Sequence, residues 1–180
     1  MNVLLHLCCA NCGIIPLQHL RALGHKVTGF FYNHNIHPYQ EYVRRRDTVR
    51  QWSDTSTLPL IERDAYDLDQ FLAAVAAQPT ERCSYCYRSR LRVTATAAVA
   101  GGFDAFTSSL LYSRYQQHDA IRQYGLELAE QFGLTFVYSD WRTGWNEGIR
   151  ASKALGLYRQ QYCGCIYSEY DRYRPRPEGS

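Results

Sequence analysis

Short apolar runs alternate with longer stretches of helical character through the first 140 residues. Residues 2–7 form an apolar run that predicts a strand, and residues 12–23 predict a helix ending at Gly24. Residues 26–32, rich in β-branched and aromatic side chains, predict a second strand. The charged stretch 39–52, opened by Pro38, predicts a helix; residues 58–61 predict a third strand and the alanine-rich 68–77 another helix. A helix over 87–100 stops at Gly101 and Gly102, and residues 103–108 predict a fourth strand. A helix over 118–132 ends at Gly133, before a fifth strand over 134–138. Strands alternating with helices imply βαβ units, so the fold class is α/β, a parallel, Rossmann-like sheet with helices on both faces.

The rhythm breaks after Asp140. Two tryptophans, several glycines and a short helix over 149–155 lead to Tyr162-Cys163-Gly164-Cys165 and a tail rich in tyrosine and arginine. With no internal repeat and no linker, residues 1–180 read as one domain: an α/β core over 1–140 and a helical C-terminal cap over 141–180. Residues 174–180, with Pro175 and Pro177, are expected to fray.

In open parallel sheets ligands bind outside the carboxyl ends of the strands. The first cysteines lie where strand one meets its helix, in the turn where a glycine-rich phosphate loop often sits. Neither G-x-G-x-x-G nor G-x-x-x-x-G-K-[ST] is present. Thiols take that place instead. Seven cysteines among 180 residues, with no apolar run near the roughly 20 residues that cross a bilayer, point to a cytoplasmic chain. The apolar start is also too short for a secretory signal. Disulfides are not expected in that compartment, and an odd number of thiols could not all pair. The net charge of +3 decides little, but 15 tyrosines beside many arginines suit stacking on unpaired bases and contact with phosphates.

Three thiol groups carry the chemistry: Cys8-Cys9-x-x-Cys12, Cys83-x-x-Cys86 and Cys163-x-Cys165. Thiolates are soft ligands that select iron–sulfur clusters, zinc or copper(I). Four satisfy a [4Fe–4S] cluster, and three could hold a single metal with one position open. The bland alternative is zinc holding together a non-catalytic RNA-binding module, but a five-stranded core does not need zinc to fold. A thioredoxin-like dithiol does not fit, because Cys83 and Cys86 do not follow the first strand. The C-x-x-x-C-x-x-C run of radical S-adenosylmethionine enzymes is absent.

Five segments in order along nearly the whole chain resemble the cobalamin-independent epoxyqueuosine reductases. They are His6-Leu7-Cys8-Cys9-Ala10, Asn33-His34-Asn35-Ile36-His37-Pro38, the run from Arg82 through Cys83, Cys86 and Arg90 to Leu91, the run from Thr107 to Gln116, and the run from Leu157 to Cys165. The resemblance implies a fold similar to adenine-nucleotide α-hydrolases without their ATP loop. It implies a [4Fe–4S] cluster on Cys8, Cys9, Cys83 and Cys86, and a second metal, iron, on Cys163, Cys165 and a residue from the turn after the cysteine pair. Some relatives use aspartate in that turn; this chain offers Cys12, a softer ligand of the same charge. Asn11 stands where proline is common.

The implied reaction converts the epoxide of epoxyqueuosine, at the tRNA wobble position, to the alkene of queuosine. It consumes two electrons and two protons, and the oxygen leaves as water. Ferredoxin or flavodoxin would supply the electrons, and the open-sided metal would act as Lewis acid on the epoxide oxygen. His37, Tyr115 and Asp119 are candidate proton donors by neighbourhood. His6 reads as structural or as support for the site, and His19, His25 and His34 as surface residues. Arg88 and Arg92, four apart on one helix face, and Asn35 are candidates for contact with the tRNA; Arg44, Arg45 and Arg46 form a second basic cluster.

Overall fold

Val3, Leu4 and Leu5 are all fully buried, because β1 (Asn2–His6) runs through the middle of a parallel sheet covered on both faces. A computed structural model describes residues 1–175. Its sheet has the order β3-β2-β1-β4-β5, where β2 is Lys26–Phe31, β3 Leu60–Glu62, β4 Ala105–Ser108 and β5 Thr135–Phe136. All four pairings are parallel, with Val3 opposite Val27 on one side and Ala105 on the other. The order reverses beside β1, which opens a crevice at the carboxyl ends of β1 and β4. The cysteine turn enters that crevice.

Seven α-helices are described: α1 (Ala10–Ala22), α2 (Tyr39–Thr55), α3 (Leu68–Val75), α4 (Arg82–Ala100), α5 (His118–Phe132), α6 (Trp145–Ala154) and α7 (Ile166–Tyr173). Right-handed crossovers put α1 and α2 on one face and α4 and α5 on the other. Helix α1 packs on α2 and α6, and α4 packs on α5. Close packing demands small residues at some crossings: a Cβ on Gly13 would lie 2.7 Å from Leu7 Cδ2 and 2.8 Å from the Trp52 ring.

The fold class follows the alternation in the sequence, but several boundaries differ from it. Helix α4 starts at Arg82, five residues before the expected start, so Cys83 and Cys86 stand on its first turns. The polar residues around them hide the helical period, and a 3-10 turn at Pro79–Glu81 feeds the helix directly. Helix α1 likewise starts at Ala10, capped by Cys9, whose Sγ accepts from the Cys12 amide at 3.4 Å. Strand β5 shrinks to two residues. The tail folds as α7, ending at Tyr173; of the stretch expected to fray, residues 176–180 lie outside the described residues.

Candidate metal centre

The turn after β1 converges three thiols. The sulfurs of Cys8, Cys9 and Cys12 all lie within 4.8 Å of one another. Ser109, at the carboxyl end of β4, fixes this turn: its Oγ accepts from the Cys8 amide at 3.0 Å and donates to Cys8 Sγ at 3.3 Å. Gln160 donates to Cys9 Sγ at 3.0 Å and to Cys12 Sγ at 3.6 Å. Hydrogen bonds from Cys12 and Cys9, with Arg90 and Ser109 adding to them against burial, hold the Cys8 thiol well below its ordinary value. Burial pushes Cys9 up, and the bonds that Cys12 makes to Cys8 and Cys9 push Cys12 up.

The other four cysteines come from α4 and the loop before α7. Cys86 and Cys165 pack with Phe71 and Val75 in a small apolar cluster. Burial first, and then the charges of Cys163, Cys165 and Cys83, push the Cys86 thiol up to about 12. Cys83 is raised by the same causes, burial first and Cys163 and Cys165 after it. Cys83 and Cys86 thus stand within reach of Cys163 and Cys165, whereas the Cys12 sulfur stands with those of Cys8 and Cys9.

The loop carrying Cys163 and Cys165 is pinned from two sides. Arg45, only 2% exposed, donates to Glu41 Oε1 at 2.7 Å, to the Cys163 carbonyl at 2.6 Å and to the Tyr162 carbonyl at 2.9 Å. His37 donates its amide to the Gly164 carbonyl at 2.8 Å, accepts from the Tyr162 hydroxyl at its carbonyl, and accepts from the Ile166 amide at Nδ1. A Cβ on Gly164 would come 3.2 Å from Asn35 Nδ2, so the loop lies directly against Asn35.

Several sequence expectations need correction here. His34 is fully buried, stacked on Tyr32 and edge-on to Phe71 and Tyr85, and is not a surface residue. Arg45 is a buried clamp and not part of a solvated basic face, while Arg46 pairs with Asp47 and Asp64. Sequence reasoning also passed over Arg90 and Gln160. Arg90 sits within a cysteine motif with no local sign of its role, yet it is 2% exposed and its charge acts on Cys86 and Cys8.

His6 is buried at the base of the crevice, with Nδ1 2.8 Å from Ser108 Oγ and Nε2 3.1 Å from the Tyr32 carbonyl. A carbonyl only accepts, so Nε2 carries the proton and Nδ1 accepts from the serine. Burial first, then Arg90, lowers His6 to about 4; burial and Arg90 likewise lower His34 to about 3. Both imidazoles are neutral in the folded protein and protonate more readily when it unfolds. Stability from them is complete above pH 6.5 and is lost as pH falls toward 4, by roughly 3 kcal/mol for His6 alone. Urea unfolding at pH 7 and pH 4.5 checks this, and His6→Asn should flatten the fall. An equally steep fall in that variant would clear His6 of the effect.

A cavity of about 660 Å³ opens over the thiols, lined by Cys8, Cys12, Arg90, Gln160, Cys163 and Tyr115 among others. Its volume suits one nucleoside-sized ligand. Tyr115 is 83% exposed with its ring edge-on to Trp145, which shares the cavity wall. Asp119 is exposed on the first turn of α5, and neither it nor His37 is on that wall. Arg88 and Arg92 are exposed on α4, Arg88 stacked 3.9 Å over the Tyr124 ring, while Arg159 and Arg172 line the cavity itself.

The profile of the family described as Epoxyqueuosine reductase QueH matches residues 3–171, nearly all of the chain. The chain belongs to that family. A relative in Dehalococcoides mccartyi, named Epoxyqueuosine reductase QueH, is 37% identical over 172 residues, covering 96% of this chain and 94% of its own. Relatives of the same name in Thermotoga maritima and Acinetobacter baylyi are 32% and 33% identical, covering 98% and 97% of this chain and 95% and 84% of theirs. All seven cysteines of this QueH family member fall inside the matched span. None is in a disulfide. Among the described residues no helix is long and apolar enough to cross a membrane.

Proposed function

We propose that this chain reduces epoxyqueuosine to queuosine at the wobble position of tRNA, in the cytoplasm and as one iron–sulfur α/β domain with residues 141–180 as its cap. The observation that carries the reading is the convergence of the Cys8, Cys9 and Cys12 thiols beside a nucleoside-sized cavity that Cys163 also lines, in a chain of the QueH family. A [4Fe–4S] cluster fits the donor set. The ligands are soft, largely buried and flanked by two buried guanidiniums, Arg45 and Arg90, that offset negative charge. Cys8, Cys9, Cys83 and Cys86 would hold the cluster; Cys12, Cys163 and Cys165 would hold a second metal, iron, with one side open to the cavity. When bound, the two groups supply single electrons and a Lewis-acid position. A ferredoxin or flavodoxin supplies the two electrons.

The residues around the metals do the remaining work. Trp145 and Tyr115 offer aromatic surface on which a splayed base can stack, and Arg159 and Arg172 offer charge to the flanking phosphates. Arg88, Arg92 and Asn35 are further candidates for tRNA contact. A proton must reach the leaving oxygen; of His37, Tyr115 and Asp119, the phenol of Tyr115 is the one on the cavity wall. Two protons and two electrons taken up release one water and leave the alkene.

A second distribution of the thiols is favoured by one observation: the grouping of Cys12 with Cys8 and Cys9. It would give the cluster to Cys83, Cys86, Cys163 and Cys165 and the single metal to the other three.

The test of the function is a reaction. Anaerobic protein with reduced cluster, a low-potential donor and tRNA carrying epoxyqueuosine should yield queuosine, read by mass spectrometry of the released nucleosides, without cobalamin or ATP. Persistence of the epoxide with reduced cluster and intact second metal would refute the substrate. A colourless protein holding only zinc would favour the non-catalytic RNA-binding alternative.

A further inference from the structure

Among the described residues two arginines are buried to the same extent, and they are used differently. Arg45 has every guanidinium nitrogen satisfied, by Glu41 and by two carbonyls of the cysteine loop. Arg90 does not. Its Nη1 donates to Asn33 Oδ1 at 3.2 Å and its Nε reaches the Cys86 carbonyl only at 3.5 Å. Its Nη2 is fully buried with no partner. No carboxylate forms a salt bridge with it among the described residues.

An unpaired buried cation is costly, and an orphaned buried donor adds to the cost. The residue is nevertheless held firmly. Asn33, which accepts from Nη1, donates its own Nδ2 to the Leu7 carbonyl at 2.9 Å, so Arg90 is tied to the last residue before the thiol turn. On α4 it stands one turn after Cys86, and its charge is felt by Cys86 and Cys8 before any other group. Through Asn33 and the Cys86 carbonyl it therefore joins α4 to the residue before the β1 turn, and it lines the cavity together with Cys8. A buried cation whose Nη2 has no acceptor for its N–H groups, placed among thiols, is arranged for an anion that is itself sulfur-rich.

We infer that Arg90 donates an N–H of its unpartnered Nη2 to a sulfur of the bound cluster and, with its charge, raises the cluster's reduction potential. The inference rests on the cluster reading above and adds a tuning role to a residue that binds no metal. The physical warrant is general: cluster potentials follow net charge, hydrogen bonds to the sulfurs and exposure. A fixed cation and one N–H favour the more negative, reduced state. Arg90 is a positioning residue in this account, acting through the cluster and not on the substrate.

Anaerobic holoenzyme of the wild type, Arg90→Gln and Arg90→Lys provides the test, with iron and acid-labile sulfide measured on each. Redox titration followed by electron paramagnetic resonance should place Arg90→Gln at a lower midpoint. The expected shift is at least a tenfold change in the ratio of reduced to oxidised cluster at fixed potential, about 59 mV for a one-electron couple. Arg90→Lys should lie between. Pulsed measurements in D2O should show an exchangeable proton coupled to the reduced cluster of the wild type and missing in Arg90→Gln. A merely structural arginine would move neither signal at equal iron content, so a variant with wild-type iron, midpoint and proton coupling overturns the inference. If Arg90→Gln takes up no iron, Arg90→Lys decides on the same two readouts. Absence of sulfide from the wild type would instead sink the cluster reading itself, which distinguishes the two failures.

Discussion

Serine at Cys8 is expected to abolish the visible absorbance of the anaerobically prepared protein, and alanine at Cys163 to leave that absorbance in place while stopping turnover. The same split should divide Cys9, Cys83 and Cys86 from Cys12 and Cys165. A hydroxyl is a harder and poorer ligand than a thiolate, and a [4Fe–4S] cluster with three protein anchors in a buried site loses its hold. Cys163 is exposed and accepts a hydrogen bond from Gln116 at 3.3 Å, which suits a ligand at the substrate side of the centre. The rival distribution gives the opposite result. Under it, Cys8→Ser keeps the cluster and Cys163→Ala loses it, because Cys163 would be one of four anchors and Cys8 one of three around a lone metal. Iron and sulfide per chain, measured on these two variants together, choose between the distributions.

Replacing Arg45 with alanine should cost about 3–5 kcal/mol of stability, the range for breaking one side of a buried ion pair. The loss has three parts in this structure. Glu41, 6% exposed, is left with only the Tyr158 hydroxyl as a partner. The carbonyls of Tyr162 and Cys163 lose their donors, and the guanidinium leaves the face of the Tyr162 ring, 5.6 Å away. Arg45→Lys should recover only part, because a lysine cannot bond two carbonyls and a carboxylate with one fixed fork. Urea denaturation measures the effect, and second-metal content should fall with it, since the same arginine shapes the loop of Cys163 and Cys165. A loss below about 1 kcal/mol would mean that the loop holds its conformation without the clamp.

The strands, the helices and their order were legible in the sequence because each is a local property. The continuous apolar run of β1 and the glycines after α4 and α5 report periodicity and chain termination within a few residues. The motifs around the seven cysteines were equally legible, since each lies within a short segment. That Cys83 and Cys86 ride on a helix was not, because the polar residues beside them carry no clear helical period.

Burial of charge is a different kind of fact. Arg45 and Arg46 are adjacent in sequence, yet one is enclosed by a loop 117 and 118 residues away and the other pairs at the surface with Asp64. Arg90 and His34 show no local sign of burial, and each is enclosed by elements distant in sequence. Hydropathy assigns such residues to solvent because it prices each side chain alone. The sequence by itself determined the α/β alternation, the family and the inventory of thiols. Only the tertiary structure decided which thiols stand together and which two arginines lie among them, because those outcomes depend on long-range packing that closes the crevice at the carboxyl ends of β1 and β4.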